Sequence, residues 1–252
     1  MKLSLRCKRG LFLAVVGLSM CFVAKAQNSK FEVGAHGSAF IYQGDLTPSA
    51  LGSIETTRGG FGVFGSVKMV GPLALRINLA KGSLSGDDSK YANPSWRRER
   101  NFKFNTPVTE VSAQVVWNIV NVGNFIRNVN LTPYVLGGFG NTRLNIERDF
   151  SETQFKQSAG LDEDLAHPLP NNIPVALAGG GLRYAVSPTL SVNAEASYRF
   201  ASFTDYLDGF SKSGNPDKDD HYYITSLGLI YSIPQSKGNR NRRKKPTCPA
   251  YQ

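Results

Sequence analysis

TLSVNAEASYRFASFTDYLD, residues 189–208, carries one apolar and one polar face if it is extended. Leu190, Val192, Ala194, Ala196, Tyr198 and Phe200 fall on one side, and Ser191, Asn193, Glu195, Ser197 and Arg199 on the other, because successive side chains alternate across a pleat. About ten alternating residues is the length a tilted strand needs to cross a bilayer's hydrocarbon layer, whereas a helix needs roughly twenty continuous apolar ones.

Working outward, seven more segments carry the same signature. Phe31 to Tyr42 sets Phe31, Val33, Ala35, Ala39 and Ile41 against Glu32, His36, Ser38 and Phe40. Gly59 to Val70 sets Phe61, Val63, Val67 and Met69 against Gly62, Phe64, Ser66 and Lys68, and after Gly71-Pro72 come Leu73, Leu75, Ile77 and Leu79 against Ala74, Arg76, Asn78 and Ala80. In Phe102 to Ile119 the apolar phase passes from Phe102, Phe104 and Val108 to Val111, Ala113, Val115 and Trp117, which predicts a bulge near Pro107, since one extra residue flips every later side chain. Leu131 to Ile146 and Ile173 to Val186 are blurred by glycines, and Tyr222 to Ile233 closes the set at eight. The polar segments Ser83 to Glu99 and Arg148 to Asn172 read as loops.

The connections run long, short, long, intermediate, long, short, long, so every long loop lies at one end of the strands and every short one at the other. Outer-membrane barrels have this asymmetry, with long extracellular loops and short periplasmic turns. The expected fold is all-β: an eight-stranded antiparallel transmembrane β-barrel with both termini periplasmic. Aromatics predict two girdles, Phe31, Trp117, Tyr134, Tyr184 and Tyr231 at the short-turn end and Tyr42, Phe61, Phe102, Phe200 and Tyr222 at the loop end.

Residues 1–26 read as a cleavable signal, with Lys2, Arg6, Lys8 and Arg9 before an apolar run and Ala24-Lys25-Ala26 at its exit. The barrel then occupies 27–234 and a basic tail 235–252. The formal charge of +10 is misleading, because five positives lie in the signal and six in the tail, leaving the remainder near −1. A nucleic-acid binder would spread its basic surface through the fold, so no nucleic-acid partner is expected. Cys248 is the lone cysteine beyond the signal, so no internal disulfide forms.

With the apolar face toward lipid, Glu32, His36, Lys68, Arg76, Glu195 and Arg199 point inward as a polar network. An eight-stranded barrel is just wide enough for side chains to fill it, so a plug of paired charges is expected rather than a pore. Catalysis would need a couple such as Asp219-Asp220-His221 facing Asp87-Asp88 or Asp208 across the rim. Acids in surface loops are common, and three histidines make no Ser-His-acid constellation, so no enzymatic activity, cofactor, metal or small-molecule substrate is expected. The tail residues Lys237, Arg240, Arg242, Arg243, Lys244, Lys245 and Cys248 form a candidate arm for an acidic partner or anionic headgroups.

Six segments carry a resemblance: YQGDL (42–46), LSGDD (84–88), ERNFKF (99–104), EVSAQ (110–114), TPYVLGGFG (132–140) and TDYLD (204–208). In these the chain resembles the PorG-like family of small outer-membrane barrels of type IX secretion systems, a DUF6089-like family. The resemblance implies an eight-stranded, non-enzymatic barrel that tethers a periplasmic ring lipoprotein and its ring partner to the outer-membrane lipid. A surface adhesin-like barrel acting through its extracellular loops is the other reading.

Overall fold

A computed structural model describes residues 31–48, 52–91, 93, 95–119, 130–154, 159–201, 205–214 and 220–234. Eight long strands carry the fold: β1 (Phe31–Gln43), β2 (Arg58–Lys68), β3 (Leu73–Asp87), β4 (Lys103–Asn118), β5 (Leu131–Leu144), β7 (Asn172–Ala185), β8 (Leu190–Phe200) and β9 (His221–Ser232). A three-residue strand, β6 (Glu147–Asp149), pairs only with the loop-side end of β4. The order β3-β2-β1-β9-β8-β7-β5-β4 is closed by pairing of β3 with β4, and every pairing is antiparallel. The result is a closed eight-stranded antiparallel barrel without a free edge.

The outer face is apolar. Val33, Ile77, Leu79, Val115, Leu227 and Leu229 are between 47% and 68% exposed, and such a continuous belt needs a hydrocarbon solvent. Two of the turn-end connections are tight: in the first, Met69 N–H donates to the Leu73 carbonyl at 2.9 Å around Gly71, whose φ of +64° suits a residue without a Cβ. At the β7–β8 turn Ser187 Oγ accepts from the Leu190 N–H at 2.9 Å. The long connections all lie at the opposite end.

Three expectations are corrected. β4 has no bulge near Pro107, because its register runs unbroken from Asp87 opposite Lys103 to Leu73 opposite Trp117. Phe104 and Val108 stay on the inward face that lower down carries Glu110, Ser112 and Gln114. What changes along β4 is the chemistry of the lumen, apolar near the loops and polar below, while the pleat keeps its phase. The girdles are likewise thinner than expected. Phe31, Trp117, Tyr184, Tyr231, Phe61 and Phe200 face outward, but Tyr134, Tyr42, Phe102 and Tyr222 are buried within the barrel. Tyr198 and Tyr223, stacked at 6.5 Å, complete the loop-side girdle instead. Finally, β3 runs to Asp87, past the expected loop start at Ser83. The connection after it holds a 3-10 turn, Asp88–Lys90, and a short helix, α1 (Trp96–Arg100), while that between β6 and β7 holds α2 (Ala159–Ala166).

Candidate functional site

From the short-turn end upward, three charged levels cross the lumen. At the mouth, Glu32 of β1 takes a bidentate pair from Arg183 of β7 at 2.9 and 2.8 Å, a contact from Lys68 at 3.1 Å and the Ser232 hydroxyl at 2.9 Å. At mid-height, Arg76 of β3 meets Glu195 of β8 at 2.6 Å, while Tyr134 donates to the same carboxylate at 2.8 Å and the guanidinium lies 4.4 Å over the Phe64 ring. Higher still, Arg199 of β8 reaches both oxygens of Glu110 on β4 at 3.0 and 3.2 Å, and the Tyr222 hydroxyl donates to Glu110 at 3.0 Å. His36 bonds Ser38 Oγ at 2.7 Å and Asn78 Oδ1 at 3.1 Å. The strand order puts each acid and its arginine on well-separated strands, so the pairs span the barrel. The void bounded by Glu32, Lys68, Arg76, Tyr134 and Arg183 is about 20 Å³, room for about one water.

Above the third level the lumen turns apolar. Phe40 lies flat against Gly60 of β2 and Gly82 of β3, where any Cβ would come within 2.4 Å of the ring. Leu84, Phe102, Phe104, Val108, Leu207 and Phe210 continue the plug, with Phe102 and Phe210 stacked at 4.4 Å.

The loops then close over this plug as an ordered cap. Asp88 is fully buried and binds Arg97 at 3.0 Å and Arg100 at 2.6 Å. Those arginines also donate to the carbonyls of Asp45 and Thr47 at 3.0–3.3 Å, so the second long loop holds the first. Asn101, at φ +47°, ends α1 and turns the chain into β4. Across the mouth, Asp164 of α2 accepts the backbone N–H groups of Ser211, Lys212 and Ser213 at 3.2, 2.9 and 2.8 Å, so the third loop holds the fourth. Arg148 donates to the carbonyls of Asp164 and Gly209 at 2.8 and 2.9 Å.

At the centre, the Tyr42 hydroxyl bonds Asp208 at 2.8 Å and also Asp220, while the Asp45 N–H donates to it at 3.0 Å. One phenolic proton cannot serve two carboxylates, so a proton held on Asp208 or Asp220 completes the set. Burial above all, with neighbouring carboxylates adding to it, pushes both aspartates well above the usual carboxylate range. Asp164 goes the other way. Desolvation raises it, but the Ser213 hydroxyl and three backbone N–H groups outweigh that and hold it below the usual range.

YQGDL, LSGDD, ERNFKF and the described part of TDYLD, Asp205 to Asp208, therefore meet in the cap. Alternation could not reveal this, because it reports which face a residue takes and not what lies opposite. Glu110 and Arg183 went unseen because the expected bulge obscured the phase of β4 and glycines that of β7, and their partners lie 89 and 151 residues away. Of the groups weighed for catalysis, Asp88 is held by two arginines, Asp208 and Asp220 are sealed by Tyr42, and His221 sits in the outward girdle, 5.5 Å from Tyr198. Among the described residues no group of three or more His, Cys, Asp or Glu side chains suits a metal ion. Lys237, Arg240, Arg242, Arg243, Lys244, Lys245 and Cys248 lie outside the described residues, as do residues 1–26, expected to be a signal, and positions 120–129 between β4 and β5.

The family described as a domain of unknown function, DUF6089, matches residues 9–237. The chain belongs to the DUF6089 family. The matched span takes in all eight strands and the whole cap. Among solved structures, this DUF6089 barrel is similar to Neisserial surface protein A, at 14% identity over 82% of this chain and 100% of that one, with a TM-score of 0.48. It is also similar to OprG of Pseudomonas aeruginosa (10% identity, 81% and 96% covered, TM-score 0.45) and to Ail, the attachment invasion locus protein of Yersinia pestis (14%, 81% and 99%, 0.44). At these identities the likeness is one of architecture. Among curated proteins none matches the chain in sequence.

Proposed function

We propose that this barrel is a non-catalytic, non-conducting docking component of the type IX secretion machinery, set in the outer membrane with its loops outside and both termini in the periplasm. The observation that carries the reading is the closed lumen. Three cross-barrel ion pairs, an apolar plug and a bonded cap leave no conducting path through the described residues, and the carboxylates that catalysis would need are already bound. Function then falls to the surfaces. The short-turn face presents two tight hairpins around Gly71 and Pro188, and β9 ends on the same side, ahead of the basic segment in sequence. Six cations between Lys237 and Lys245 would steer an acidic periplasmic partner to that face. The resemblance to the PorG-like barrels names the partners as the ring lipoprotein and its ring partner. Deleting residues 236–252 should leave a folded barrel whose co-purification with the ring lipoprotein falls sharply; undiminished co-purification removes the tail from the mechanism.

A second reading, a surface interaction barrel, is favoured by the order of the cap, because loops tied by buried ion pairs present a fixed outer surface. Proteolytic trimming within residues 148–172 that abolished surface binding while leaving secretion intact would select it.

A further inference from the structure

On the lipid-facing side of the barrel, cross-strand register places Phe61, Lys81, Thr109, Arg143 and Asn172 in one row across β2, β3, β4, β5 and β7. Phe61, Lys81, Thr109 and Arg143 are all exposed. Lys81 and Arg143 flank Thr109 two strands apart, about 10 Å by the ordinary strand spacing. Neither takes part in an ion pair or side-chain hydrogen bond among the described residues. Other charges of the long strands near this face are engaged: Arg58, at the start of β2, with Ser85, and, six residues further toward the loops, Asp87 with Ser89 and Lys103 with Glu152. Below the row, no acidic side chain faces outward on the described parts of the eight strands.

The height of this row is informative. The next outward row down is Val63, Leu79 and Val111, already within the apolar belt. From Thr109 to Trp117 of the short-turn girdle is eight residues, about 26 Å along the strand and roughly 20 Å in height at the usual tilt. That places Thr109 near the upper boundary of the hydrocarbon, and because a row perpendicular to tilted strands climbs as it crosses them, Lys81 and Arg143 lie about 3 Å to either side of that level, where an unpaired positive charge is tolerated only by reaching headgroups. Beside Lys81 runs an open groove of about 610 Å³, walled by Arg58, Phe61 and Pro107 and widened by Gly59, where a Cβ would meet nothing.

We propose that Lys81 and Arg143, with the Thr109 hydroxyl between them, form a binding site for a membrane lipid whose headgroup carries two phosphates, one for each cation. The occupant must be an amphiphile, because the same surface offers cations above and bare Val63, Leu79 and Val111 immediately below. A headgroup with two phosphates gives each cation its own counter-charge, whereas one phosphate would have to be shared between them. With the loops outside, as proposed above, the lipid belongs to the outer leaflet; the site itself stands whichever way the barrel is inserted.

The test uses the full-length barrel in phosphatidylcholine nanodiscs doped with bisphosphoryl or monophosphoryl lipid A, followed by detergent release and native mass spectrometry. The bisphosphoryl lipid should be retained roughly tenfold over phosphatidylcholine, the monophosphoryl form less, and the preference should be lost in K81Q/R143Q and kept in K81R/R143K. Heat-modified gel mobility checks that each variant is folded. Equal retention by K81Q/R143Q and the parent overturns the site. Displacement of the lipid by inorganic pyrophosphate as readily as by free bisphosphoryl lipid A overturns the lipid assignment in favour of a plain anion site. Neither result bears on the docking role.

Discussion

Asp88 faces no water, and its two oxygens are shared between Arg97 and Arg100, whose remaining N–H groups hold the backbone of the first loop. Removing it leaves two buried cations opposite nothing. Breaking a buried pair on one side costs about 3–5 kcal/mol, so Asp88→Ala should open the cap locally and make the first and second loops protease-sensitive on otherwise intact barrels. Loops as resistant as the parent's would contradict the clamp. The aspartates around Tyr42 give the cap a pH dependence that can be read with its sign. Folding favours the protonated forms of Asp208 and Asp220. Their stabilisation is therefore complete below the unfolded value, about 3.9 for Asp, and is lost as pH rises through the raised folded values. Asp164 contributes oppositely, with stability present above that unfolded value and lost as pH falls through its lowered one. The cap should resist proteolysis best in mildly acidic solution and loosen toward alkaline pH. Asp208→Asn combined with Asp220→Asn should flatten the alkaline side; an unchanged profile in that variant would show that another group sets it.

Strands β3 and β8 are joined across the lumen by Arg76 and Glu195 rather than by any neighbour along the sheet. Arg76→Ala should cost about 3–5 kcal/mol by stranding a carboxylate, whereas replacing both residues by leucine should cost far less, since an apolar pair of similar volume needs no desolvation. Urea-unfolding midpoints in lipid vesicles measure both, and equal losses would argue that the pair is incidental. The outward faces of these elements were legible, because lipid demands an uninterrupted apolar side and Leu73, Leu75, Ile77 and Leu79 supply it. The inward faces were legible only where they are polar. Phe104 and Val108 were misplaced because an apolar residue on the inner face looks the same as a phase slip, and Tyr42, Phe102 and Tyr222 because an aromatic near a strand end suits a girdle and a plug equally. The cap was invisible for a different reason: Tyr42 meets Asp208 across 166 residues, Asp88 is held from a loop that reads only as polar, and no local period encodes either contact.

The molecule as a whole is a closed cylinder, sealed by charge at the turn end and by aromatic packing and buried aspartates at the loop end. Its apolar flank fixes it in a bilayer, and its two ends are what it can offer to other proteins. The loop end is stiffened by the contacts that close it. At the turn end the β2–β3 and β7–β8 connections are tight hairpins, and β9 ends there ahead of the basic segment 237–245. A sealed barrel should pass no ions, so planar bilayers holding the purified protein should stay at background conductance, and stable single-channel steps would refute the plug. The docking claim is tested most directly by photo-crosslinking in cells, with the reactive side chain placed in turn at Ser187 on the short-turn face and at Arg98 on the cap. Adducts to a periplasmic ring lipoprotein from position 187, with none from position 98, are the predicted result. Adducts from position 98 to surface partners, with position 187 silent, would contradict it and move the function to the loops.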